Sequence, residues 1–113
     1  MTSKLSLYDL YEIKKKKDNK INEAFTIILN SCHKKIRTIA EIGKQSLYYT
    51  IPPIIIGYPL YDYTICMNYI ISSLQKSGLY VAILPASNNN MIYISWKIED
   101  VSNQTIKRRL LLQ

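Results

Sequence analysis

Along the stretch from Ile21 to Gly43 the apolar residues Ile21, Phe25, Ile28, Cys32, Ile36 and Ile39 recur at intervals of three and four. That period predicts a helix with one buried face. Glu23, Asn30, Lys34, Arg37 and Glu41 fall on the other side, Arg37 and Glu41 stand four apart where they pair weakly, and Gly43 supplies a stop. The preceding "SLYDLYEIKKKK" keeps helical spacing through Leu7, Leu10, Tyr11 and Lys14, and reads as a separate helix or an extension of the first. "LYYTI" (47–51) is β-branched and aromatic and is stopped by Pro52, which predicts a strand. "PPIIIGYPLY" holds too much Pro and Gly for regular structure and predicts a packed hydrophobic connection. Asp62 then caps a second helix with Ile65, Cys66, Tyr69, Ile70 and Leu74 on one face and Gly78 beyond its last turn. "LYVAILP" and "MIYISW" flank the turn-forming "ASNNN" and predict a hairpin. On its second strand Ile92, Ile94 and Trp96 point one way, Tyr93 and Ser95 the other.

Helix, strand, Pro/Gly loop, helix and hairpin make an α+β order: a small three-stranded sheet with helices on one face. A winged-helix arrangement has a similar order and is the minority reading, because the Pro/Gly linker stands where such folds place a short helix. With 113 residues the chain has room for one domain. It divides into a basic N-terminal segment (1–20) with helical spacing, a single α+β domain (21–96) and a basic C-terminal tail (97–113). The composition, 48% hydrophobic and 20% charged, is that of a globular protein. The longest apolar stretch, "TIPPIIIGYPLYDY", is broken by three prolines and a glycine and cannot span a membrane. The N-terminus has no apolar run of signal-peptide type, so the expectation is a chain that is not exported, with two reduced, buried cysteines, Cys32 and Cys66.

Charge adds a second pattern. The formal net charge is +7, and the uncharged middle leaves it at the ends and on the first helix. Residues 46–96 carry only Asp62 and Lys76, whereas Lys14–Lys17 form an unbroken run. Basic residues around a neutral centre present a cationic rim to phosphates or acidic surfaces, or serve only as a solubilising fringe.

Catalytic chemistry finds little to use. Cys32 and His33 are adjacent, but helical neighbours diverge by about 100° and do not form a nucleophile–base pair. With Cys66 they give at most three metal ligands and lack CxxC spacing. Asp62 is the only carboxylate between Glu41 and Glu99, and its capping role accounts for it. There is no Gly-rich phosphate loop, no GxSxG and no HExxH. The expectation is a protein that is not an enzyme, with no cofactor and no metal. Tyrosine is in excess, with eight of ten between Tyr48 and Tyr93. Beside basic residues such rings serve base stacking, and equally a small core or a protein interface. Tyr58, Tyr61 and Tyr63 are the ones least explained by regular packing.

The landmarks "IKKKK" (13–17), "CHKKI" (32–36), "IPPIIIGYPLYD" (51–62), "CMNYI" (66–70), the helix end from Leu74 to Gly78 and "IYISW" (92–96), in this order, resemble a family of short, functionally uncharacterised proteins of nucleocytoplasmic large DNA viruses, the giant viruses. The resemblance spans about residues 13–96. It implies a viral protein of the host cytoplasm, with the virion as one destination, and carries no catalytic residues across.

The resulting expectation is a non-catalytic viral protein that contacts nucleic acid non-specifically through Lys14, Lys15, Lys16, Lys17, Lys34, Arg37, Lys44, Lys107, Arg108 and Arg109. The alternative is a minor structural or assembly protein that binds another viral protein through Ile56, Tyr58, Tyr61 and Tyr63 of the Pro/Gly loop. Oligomeric state is left open by the sequence.

Overall fold

The computed structural model describes residues 5–84 and 91–102. The element order is α1 (Leu7–Glu41), β1 (Ser46–Thr50), α2 (Tyr63–Lys76), β2 (Tyr80–Ile83) and β3 (Met91–Ser95), followed by a helical turn at 98–102. The hairpin turn expected at "ASNNN" and the end of the tail, including Lys107, Arg108 and Arg109, lie outside the described residues.

The two helical patterns at the N-terminus are one helix of 35 residues. Ser6 caps it, its Oγ accepting from the Asp9 N–H at 3.1 Å, and Asp9 complements the positive end of the helix dipole. Nothing between Ser6 and Glu41 breaks it, since it contains neither Gly nor Pro and lysine is a good helix former. α1 and α2 end alike. Gly43 donates to the Ala40 carbonyl and Lys44 to that of Ile39, while Gly78 donates to Gln75 and Leu79 to Leu74. Both are the paired bonds of a Schellman motif, which needs a left-handed residue, and Gly43 and Gly78 supply it at φ +90° and +91°. Asp62 caps α2 as its position predicts, accepting from the Thr64 and Ile65 amides at 2.8 and 3.2 Å.

β3 is the central strand of an antiparallel sheet in the order β1-β3-β2. Leu47 pairs with Ile94 and Tyr49 with Ile92 on one side, Val81 with Ile94 on the other. These residues face the helices. Phe25, Ile28 and Cys32 of α1, with Cys66, Met67, Ile70 and Leu74 of α2, close the core over them. Trp96 packs at its border, on the side of Ile92 and Ile94. The segment 51–62 holds no helix, so the third helix of a winged-helix arrangement is not in that place. Tyr93 and Ser95 are on the opposite face, as alternation predicts. Ser95 is nevertheless buried, because the turn at 98–102 folds over that end of the sheet and Asp100 accepts from its Oγ at 2.6 Å.

α1 is longer than the body it packs on. Its first buried residue is Ala24, with Ile21 half-buried before it. Every residue from Leu7 to Lys20 is exposed except the half-buried Glu12. At about 1.5 Å per residue that arm extends roughly 20 Å, and the molecule measures 66 × 38 × 27 Å. Leu7, Leu10 and Tyr11 stand five helical turns before Phe25, Ile28 and Leu29, so the core stripe continues onto the arm as exposed apolar side chains.

Candidate nucleic-acid interface

α1 carries eight Lys and Arg residues against five acids. Four consecutive lysines on a helix are spaced about 100° apart and point around most of its circumference. Lys14 and Lys17 therefore turn toward the body, where they line a cleft of about 590 Å³ with Ile21, Phe25, Leu60 and Ile65, while Lys15 and Lys16 face away from it. Lys34 and Arg37 are exposed on the side of α1 remote from the core, the side that Lys16 shares. Lys16 and Lys34 are 18 residues apart, which along the helix is about 27 Å. Lys44 is exposed in the turn before β1.

Among the described residues the ion pair is Lys20–Glu23, at 3.5 Å between two exposed side chains. Arg37 and Glu41, four apart as the sequence has them, do not close one. The cations of α1 other than Lys20 are left to solvent or to an incoming anion, apart from Lys35, whose Nζ lies 6.0 Å from the Tyr49 ring centroid.

The Pro/Gly loop is held differently. Tyr61 donates its hydroxyl to the Pro52 carbonyl at 2.6 Å and sets its ring edge-on to Phe25, with centroids 5.4 Å apart. Desolvation raises the hydroxyl pKa of Tyr61 and of Tyr63. Tyr58 is half-buried with Lys20 Nζ 6.0 Å from its ring centroid. Ile56 is 95% exposed at the tip of a turn closed by the Tyr58 N–H to the Ile55 carbonyl, and Ile54 and Leu60 are exposed beside it. The tyrosines of this loop brace it against the helices, Ile51 and Ile55 pack into and against the core, and Ile54 and Ile56 face solvent.

Cys32 and Cys66 are buried core residues whose thiols are pushed up by desolvation, to about 12 and about 11. His33, half-buried, lies with Ile36, Arg37, Ser77 and Leu79 in a shallow cleft. Among the described residues no group of three His, Cys, Asp or Glu side chains is placed to hold a metal ion, and no helix is long and apolar enough to cross a membrane.

One aromatic arrangement is absent from the sequence reading. Tyr48 of β1 pairs directly with Tyr93 of β3, their ring centroids 5.3 Å apart, and Tyr80 of β2 adds a third ring 6.2 Å from Tyr93. All three are on the sheet face turned away from α1 and α2. Strand alternation puts Tyr48 and Tyr93 on the outer faces of their strands, but only the β1–β3 register sets them side by side.

A family model matches residues 5–75. The chain belongs to DUF5759, a family of unknown function. All of the cationic helix, the Pro/Gly loop and all but the last residue of α2 fall within the DUF5759 match, and the β2–β3 hairpin lies beyond it. No curated protein and no solved structure matches the chain.

Proposed function

We propose that this DUF5759 protein is a non-catalytic nucleic-acid-binding protein that lays the cationic side of α1 along a phosphate backbone. The observation that carries this reading is the long helix itself: eight basic side chains, one of them in an ion pair, on a rod that overhangs its domain. A duplex presents a phosphate charge every 1.7 Å or so of its axis. Cations from Lys16 to Lys34 and Arg37, spread over about 27 Å of helix or more, therefore meet many equivalent positions, which suits attraction by charge and not reading of sequence. The resemblance of the landmarks between residues 13 and 96 to proteins of large DNA viruses supports a viral source, with the host cytoplasm and the virion as places of action.

The test is fluorescence anisotropy of labelled DNA and RNA against the full chain, from about 50 to 200 mM salt. Micromolar or tighter binding is expected, falling steeply with salt. Changing Lys14–Lys17 to Gln should weaken it and flatten the salt slope by about one for each lysine that neutralises a phosphate. Absence of binding at the lowest salt sinks the proposal. It then favours the second reading, an assembly protein that grips a protein partner through the exposed Ile54, Ile56 and Leu60.

A further inference from the structure

The sheet has two unlike faces. One is aliphatic and closed by the helices. The other presents Ser46, Tyr48, Thr50, Tyr80, Met91 and Tyr93, with three aromatic rings in adjoining positions across all three strands, while Ser95 at one end of it is buried under the turn at 98–102. Tyr48 is 58% exposed although it sits mid-strand. The rings meet at 46° and 70°, so neither contact is the parallel stack that would cover both π faces.

We infer that this face takes the unstacked bases of a single-stranded nucleic acid, with Tyr48 and Tyr93 as the stacking rings. Three arguments select that occupant. Strands about 4.8 Å apart and five residues long make a face of roughly 250 Å². That is well below the ~800 Å² per partner of a stable protein interface, yet it is the scale on which sheet-borne aromatics hold two or three bases. The face is polar between its rings, through Ser46 and Thr50, which offer hydrogen-bond partners to base edges, while at one end the Asp100 carboxylate is occupied by the Ser95 and Tyr93 hydroxyls at 2.6 and 3.5 Å. Finally, cations border it at one end. The Trp96 N–H donates to the Gln45 carbonyl at 2.9 Å, and that bond brings Lys44 and Lys97 to the same edge of the sheet, next to the Ser46–Ser95 row. Phosphates of a strand laid across the rings have these two lysines to meet at that end.

The inference shares with the proposed function the premise of nucleic-acid binding, but it uses a different face, so the two fail separately. The full chain is titrated into a labelled oligothymidylate of about 15 nucleotides and into a duplex of equal length, at about 50 mM salt. Tyr48→Ala should weaken single-strand binding about tenfold or more, leave duplex binding and both salt slopes unchanged, and be rescued by Tyr48→Phe, which keeps the ring. Tyr93→Leu, checked for its fold by circular dichroism, should act in the same direction. Unchanged single-strand affinity in both variants overturns the inference while leaving the cationic helix intact if changing Lys14–Lys17 to Gln still weakens binding. Equal losses on single strand and duplex also overturn it. So does a dimer, seen by light scattering, that Tyr48→Ala dissociates. No binding to either probe removes both readings together.

Discussion

Cys32 and Cys66 sit with no exposed surface in a core of Ile, Leu and Phe, and their chemistry follows from that placement. Burial raises their pKa from the ordinary 9.0 to about 12 and about 11, against a small lowering by Lys35 at Cys32. The folded protein thus keeps both protons at pH values where the unfolded chain releases them. Their contribution to stability is complete below about pH 9 and is lost as the pH climbs through 11 and 12. Tyr49, Tyr61 and Tyr63, whose hydroxyls are also raised, add in the same sense at higher pH. The denaturant midpoint is expected to fall steadily from pH 9 upward, and a disulfide-exchange reagent at pH 8 should find neither thiol until guanidinium is added. Prompt reaction of the native protein would contradict the buried placement. The sequence disclosed these two residues well, since helical spacing alone put Cys32 with Ile28 and Cys66 with Ile70. It was a poor guide to the loop tyrosines. Tyr61 looked unexplained because its partner is a main-chain carbonyl nine positions away, Pro52, and such a bond leaves no mark in residue identities.

The helices were legible because everything that makes them is local. Caps, period and terminal glycines all lie within a few positions of the ends they decide, and the structure keeps Asp62, Gly43 and Gly78 in those roles. Asp62→Ala leaves the Thr64 and Ile65 amides without their partner. It is expected to cost about 1 kcal/mol, or about 4 °C in Tm for a domain of this size, with Asp62→Asn recovering most of the loss. A change below 1 °C would mean that solvent replaces the cap without penalty. The sheet was legible only as three strands. Which strand lies in the middle depends on pairing between residues far apart, and neither composition nor alternation distinguishes β1-β3-β2 from the order of the chain. For the same reason the Tyr48–Tyr93 pair could not be read, since register is a property of two segments at once.

For the whole molecule the dominant fact is unequal thickness. A body of two helices and a small sheet carries an arm of one further helical stretch, and residues 7–20 bury almost nothing. Removing residues 1–17 is expected to leave the thermal midpoint of the body within a few degrees and to shorten the longest dimension, now 66 Å, in small-angle scattering. Collapse of the body on this truncation would mean that the arm contributes to folding and does not merely extend from it. The strand order has a consequence in time as well as in space. Leu47 finds its partner Ile94 only after 47 further residues have been added, a delay of roughly 2–9 s at typical rates of synthesis. Until then β1 is an edge with no neighbour on either side, displaying Leu47 and Tyr49, and the nascent protein passes through an interval in which its principal hazard is pairing with another chain.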